Sequence, residues 1–208
     1  MRRAIHLFGV LALVACGVAA ADQEIVRLTG AVTLQVPSGW RLLNEKQIAE
    51  AGSKVTRAVS AAGVEIDLKL GERVIYVPTS PRATANISIV VRSAERLPFR
   101  SSDFKSAGMP SQKVVEYFKA QDNAFSKLVE TSGGKVLDRF PIRTVVVGNS
   151  MGVEYGSMYQ QASGITVSRQ VILTTGERSI TVTVSYLKEA ETQYGSLFED
   201  VRSSVRIP

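Results

Sequence analysis

The amino-acid sequence predicts an α/β protein of the α+β sandwich type: an antiparallel sheet with a C-terminal four-stranded meander and helices packed on it. Three observations carry this reading. Several runs alternate strictly between apolar and polar residues, as Val32–Val36 and Ile180–Tyr186 do. Short links rich in Gly, Asn and Ser join the runs between residues 142 and 187. Three other segments repeat apolar residues at helical spacing. Period two leaves one strand face to bury and one to water, and a 3.6-residue period does the same for a helix.

The first element is a leader. Met1-Arg2-Arg3 gives a positive start, Ile5 to Ala15 is apolar, and small residues run from Cys16 to Ala21. That order describes a secretory signal peptide over residues 1–21. The apolar run is shorter than the about 20 residues a membrane helix needs. The exit has two readings. Ala19-Ala20-Ala21 is a small-x-small cleavage site that releases a chain starting at Asp22. Leu13-Val14-Ala15-Cys16 resembles the bacterial lipobox, in which Cys16 is lipidated and anchors the protein to the membrane. Removing residues 1–21 takes away Arg2 and Arg3 and no acid, so 208 residues become 187 and a net charge of +6 becomes +4.

The only histidine, His6, and the only cysteine, Cys16, fall in this leader. The exported part is then expected to lack imidazole and thiol. That argues against His general bases, Cys–His nucleophiles, Ser-His-Asp triads and metal sites built on nitrogen and sulfur, and points to a protein that is not an enzyme. Disulfides are excluded for the same reason. No cofactor motif appears, and the positive charges are scattered, with no basic run for nucleic acid.

Along the chain after the leader, residues 32–36, 66–70, 73–77 and 86–92 alternate as strands, and 71–85 forms a candidate hairpin with a Pro-rich exit. A helix starts at Asn44 with Gln47 three residues on, a capping-box pattern, and carries Ile48, Val55 and Val59. A second helix opens after Ser111 and runs to about Val129, with Val114, Phe118, Phe125 and Leu128 as its stripe and Gly133-Gly134 as its stop. Strands at 142–147, 152–160, 164–174 and 180–186 follow, joined at Gly148–Gly152, Ala162–Gly164 and Thr175–Glu177. Those links supply the positive φ that hairpins need, so 142–187 reads as a meander. A last helix after Leu187 repeats Ala190, Tyr194, Leu197, Val201 and Val205. No repeat or linker divides residues 22–208, which read as one domain.

The strand closing on Val36-Pro37-Ser38-Gly39-Trp40, the meander, and a final helix with Phe198, Val201, Ser204 and Val205 together resemble the PsbP-like fold family, which includes the extrinsic photosystem II subunit, a Ran-binding nuclear import factor and DcrB-like bacterial envelope lipoproteins. The resemblance spans most of residues 30–207. It implies an antiparallel-sheet sandwich and an accessory or binding role, and it assigns no functional residue.

Candidate sites come from the residues themselves. The long connection 93–111 carries Arg96, Leu97, Phe99, Arg100, Phe104, Lys105 and Met109, the residue types that protein interfaces favour at their centres. Arg96, Phe99, Arg100, Phe104 and Lys105 are the expected partner contacts. In the alternative, the apolar members tuck back onto the domain. A second candidate is the polar strand face of Thr166, Ser168, Gln170, Thr181, Thr183 and Ser185. Glu65, Asp67, Glu72, Asp138 and Glu154 are the acids available for a carboxylate pair of hydrolase type. Ser102-Asp103-Phe104-Lys105 matches a Ser-x-x-Lys string without its companion motifs. The reading is an exported, non-enzymatic protein of the periplasm or cell envelope that binds an unknown envelope protein. A carrier of a small ligand or lipid, with a pocket between sheet and helices, is the alternative.

Overall fold

The computed structural model describes residues 22–50, 72–79, 85–93, 103–104, 110–174 and 178–208. Nine strands stand among them, in two sheets. β1 (Gln23–Arg27) and β2 (Thr33–Pro37) form an antiparallel pair. β3 (Arg41–Leu42), β4 (Glu72–Val77), β5 (Ala85–Ser93), β6 (Lys135–Val147), β7 (Ser150–Gln161), β8 (Gly164–Thr174) and β9 (Arg178–Leu187) form a seven-stranded sheet in the order β3-β4-β5-β9-β8-β7-β6. Its neighbouring strands are antiparallel throughout. The meander expected over 142–187 is present. It begins seven residues earlier, at Lys135. The strand runs through Pro141 because β6 is an edge strand, where a missing N–H is tolerated.

The helices start and stop where their capping chemistry says. Residues 45–50 are helical (α1), and Asn44 and Gln47 exchange backbone-to-side-chain hydrogen bonds of 3.0 and 2.9 Å, a complete capping box. α2 (Gln112–Thr131) is capped by Ser111, whose Oγ accepts from the Val114 N–H. Gly133 ends it at φ 76°, with its N–H on the Glu130 carbonyl and that of Gly134 on the Val129 carbonyl. The single C-terminal helix expected after Leu187 is instead a 3-10 turn (Lys188–Ala190), α3 (Glu191–Tyr194) and α4 (Leu197–Ser204). Gly195 and Ser196 separate α3 from α4 as a turn whose backbone stays αR, so Tyr194 and Phe198, four residues apart, keep one face and both reach the core. β1 is also new: Gln-Glu-Ile-Val-Arg buries only Val26 and carries little periodic signal. The strand predicted over 66–70, and Val55 and Val59, lie outside the described residues.

Register decides the two faces of the large sheet, because paired residues share a face. The front face carries Ile87, Ile89, Val91, Val167, Val171, Leu173, Ile180, Val182 and Val184, all buried. It packs on the β1–β2 pair and on α3 and α4, through Leu34, Val36, Tyr194, Phe198 and Val201. The chain ends interlock there: Thr33 and Arg206 exchange backbone hydrogen bonds of 3.0 and 2.8 Å, and the Ser204 Oγ accepts from the Gln35 N–H. The back face packs α2 over β6 and β7, with Phe104, Val114, Phe118, Val153 and Ile172 forming a second core.

A charged cleft on the front face

The inward phase of two neighbouring strands contains opposite charges. On β7, Gly152, Glu154, Gly156 and Met158 face front; on β8, Val167, Arg169, Val171 and Leu173 do. Glu154 is 3 % exposed, although it sits where an apolar side chain is expected. A buried carboxylate is costly unless paired and hydrogen-bonded, and three arginines meet this demand. Arg143, opposite it on β6, places Nη2 3.3 Å from Oε1. Arg169 from β8 donates to Oε1, and Arg202 from α4 donates to Oε2. Arg169 and Arg202 also share Glu199, at 2.8 and 2.6 Å, which closes a ring of alternating charge. The Phe198 ring lies beneath it, 4.3 Å from the Arg169 guanidinium carbon and 5.8 Å from that of Arg202. This network ties the C-terminal helix to the middle of the sheet.

Beside the network opens a cleft of about 410 Å³. β6 supplies Asp138, Phe140, Pro141 and Arg143. Met158, Val167, Arg169 and Tyr186 form its floor on β7, β8 and β9, and Lys188, Glu191 and Gly195 close the far side. Phe140 lies over Gly156, where a Cβ would stand 2.8 Å from its Cδ2. Lys188 and Glu191 form an ion pair, which raises the lysine pKa and keeps it cationic. Burial, with Glu191 nearby, pushes the Tyr186 phenol above its ordinary value of 10.0, so it remains a neutral donor. The cleft therefore has a mixed-charge wall over a floor in which Arg169 sits among Met158, Val167 and Tyr186.

The carboxylate candidates separate in this setting. Both oxygens of Glu154 are committed to guanidinium groups, and Asp138 is exposed, with Oδ1 accepting the Arg139 N–H at 2.7 Å. No described carboxylate stands beside Glu154 as an acid–base mate: Glu199 is held by the same two arginines. Glu65 and Asp67 lie outside the described residues, as does the side chain of Glu72. Among the described residues, no group of three or more His, Cys, Asp or Glu side chains is placed to hold a metal.

Of the expected partner contacts, Phe104 is 4 % exposed and packs against the second core with Val114 and Phe118. It follows the tuck-back alternative, so its ring offers no contact surface. Cys16, Arg96, Phe99, Arg100 and Lys105 lie outside the described residues, as do Ser102 and the leader. Asp103 instead pairs with Lys113 at 3.4 Å. The polar strand face of Ser168, Gln170, Thr183 and Ser185 is on the back of the sheet, where Ser168 and Ser185 hydrogen-bond at 3.0 Å and Tyr155 donates to Gln170. Neither polar element assembles with the cleft. The Glu154 network is half legible in the sequence: Arg169 falls on the apolar phase of Val167, Val171 and Leu173, whereas Glu154 alternates with glycines opposite the apolar phase of Met151, Val153 and Tyr155.

No family model and no curated protein sequence matches the chain. The solution structure of cyanobacterial PsbP (CyanoP) from Synechocystis sp. PCC 6803 superposes with a TM-score of 0.59 at 15 % identity, covering 92 % of this chain and 96 % of that one. The fold is PsbP-like. A Pseudomonas aeruginosa protein of unknown function, PA94, and LpqN, involved in cell envelope biogenesis of Mycobacterium tuberculosis, align at 13 % and 14 % identity with TM-scores of 0.43 and 0.42. They cover 89 % and 90 % of this chain, and the alignments span 96 % and 91 % of theirs. Trp40 stacks edge-on against Tyr194 at 5.9 Å and so joins the strand exit to α3. Among the described residues no helix is long and apolar enough to cross a membrane.

Proposed function

We propose that this protein is an exported, non-enzymatic accessory module of the periplasm or cell envelope, either released at Asp22 or anchored through lipidated Cys16, and that it binds a partner protein with the front cleft. The observation that carries the reading is the commitment of Glu154. Glu154, the one buried carboxylate among the described residues, serves to rigidify the wall beside the cleft, which suits recognition and not proton transfer. The mixed charge over Phe140 and Met158 resembles the anatomy of protein interfaces, an apolar centre with a polar rim. The connection bearing Arg96, Phe99, Arg100 and Lys105 is a second contact candidate. Replacing Phe140 or Lys188 by a photo-crosslinking amino acid in growing cells tests this. A discrete adduct is expected from both positions and not from Lys127 on the outer side of α2. No adduct, or the same pattern from Lys127, would reject it.

One observation favours a second reading, a small-ligand carrier: the cleft volume lies inside the range of ligand pockets, about 300–1,000 Å³. Native mass spectrometry of protein taken from cells separates the two, since a carrier retains a bound small molecule.

A further inference from the structure

The charged network beside the cleft carries more cations than acids. Arg143, Arg169 and Arg202 surround Glu154 and Glu199, three guanidinium groups for two carboxylates. Two of them converge on one atom: Arg143 places Nη2 3.3 Å from Glu154 Oε1, and Arg169 donates to the same oxygen. Both arginines also line the cleft. Arg143 is the outer one, its side chain 56 % exposed against 18 % for Arg169. A guanidinium carries five N–H donors, so this single contact leaves most of those of Arg143 unused.

Of the other charges lining the cleft, Lys188 and Glu191 neutralise each other. Asp138 is exposed to water, and its Oδ1 accepts the Arg139 N–H. Among the described residues no ion pair joins it to the three arginines. The floor adds a donor. Tyr186 is 4 % exposed and lines the cleft, yet among the described residues its hydroxyl makes no hydrogen bond. A buried phenol without a partner is costly, which makes it a place for a ligand to supply one. Arg169 and Lys188 stand near enough to act on its charge. The O–H therefore points to a ligand atom that accepts, in a positively charged setting.

Size and chemistry together select the ligand. A cleft of about 410 Å³ has the dimensions of a small-ligand site, not of a flat protein interface, so a protein enters it with a chain end or a single side chain. The donors call for a carboxylate. Met158, Val167 and Phe140 beside them call for an apolar group. An apolar C-terminal residue carries both on one Cα. An internal Asp or Glu brings the carboxylate without the apolar group.

We infer that the front cleft captures the C-terminal residue of a partner protein, with its carboxylate on Arg143, Arg169 and Tyr186 and its apolar side chain over Met158 and Val167. This rests on the partner-binding reading and names the group bound. Two fluorescein-labelled peptides ending in Gly-Ser-Val-Leu test it on the purified protein, one with a free C-terminal carboxylate and one with a C-terminal amide. Anisotropy is expected to show the acid binding about tenfold more tightly than the amide. Arg143→Gln should remove most of that difference and leave the amide peptide unchanged. Tyr186→Phe deletes only the unpartnered hydroxyl, so it should not lower the melting temperature and should weaken the acid peptide about tenfold. Methyl NMR places the peptide: the Met158 signal should shift on adding the acid, and that of Met151, packed in the second core behind the sheet, should not. Octanoate and an amide peptide with an internal Glu supply the other sources of a carboxylate. The inference is overturned by any of five results: neither peptide binds at about 1 mM; acid and amide bind alike; a folded Arg143→Gln variant keeps the full difference; the Met158 signal stays still while the acid binds; or octanoate or the internal-Glu peptide binds more tightly than the acid. Partner crosslinks from Phe140 and Lys188, with neither peptide binding, would sink this inference while leaving the partner-binding reading intact.

Discussion

Glu154 faces more positive charge than it can neutralise, and this sets the residue-scale energetics. Glu154→Ala leaves Arg169 and Arg202 partly buried against Phe198 with one carboxylate, Glu199, between them. Breaking a buried pair from one side costs about 3–5 kcal/mol, so a fall of that size is expected in urea unfolding. Arg143→Ser, at the exposed corner of the same network, is expected to cost less than about 1 kcal/mol. If the two costs are equal, the network is not organised as described. Tyr159 supplies a pH test. Burial raises its phenol pKa above 10.0, against a smaller opposite effect of the Thr166 hydrogen bond. Above pH 10 the unfolded chain releases this proton while the folded chain keeps it. Stability therefore falls as pH rises through that window. Tyr159→Phe should flatten the alkaline slope of the melting temperature while leaving the neutral region parallel to the unaltered protein. Gly152 makes a steric test: a Cβ there would stand 2.2 Å from the Ile172 carbonyl oxygen, backbone that cannot swing aside. Gly152→Ala is expected to lose about 1–3 kcal/mol.

At the scale of elements, helix ends are specified locally and helix faces are not. Asn44 with Gln47, Ser111 before α2, and Gly133 after it are capping residues that act on their own neighbours, and each appears where its chemistry directs. Gly133→Ala isolates one such term. Nothing lies within 4 Å of the added Cβ, so the cost is the left-handed φ alone, about 1–2 kcal/mol in thermal melting. The C-terminal segment behaves differently. Its apolar residues keep a helical period across Gly195, and although the regular helix is interrupted there, Tyr194 meets Trp40 and Phe198 and Val201 meet the sheet. β6 shows a similar override: an edge strand accepts Pro141 and two register shifts that would end a central strand.

For the whole molecule, the termini of the domain hold the front layer together. Thr33 bridges Arg206, Ser204 accepts from Gln35, and Arg202 reaches Glu154. Deleting residues 197–208 should therefore strip both the apolar cover of β8 and β9 and a cation of Glu154. The cooperative near-UV transition is expected to vanish, and a chain that still melts in one sharp step would contradict the interlock. Intact mass of the protein purified from cells tests the proposed export: a free N-terminus at Asp22 or a lipidated Cys16 is expected, and an intact residue 1–21 segment would contradict it. Alternation, caps and turn residues by themselves determined the antiparallel meander and the limits of α2, because each is read between residues a few positions apart. Only the tertiary structure decided that Glu154 is buried, that Arg202 joins Arg143 and Arg169 around it, that Phe104 turns inward, and that β6 ends the sheet. Those outcomes depend on strand order and on which distant segment covers which face, and such long-range choices leave no periodic mark along the chain.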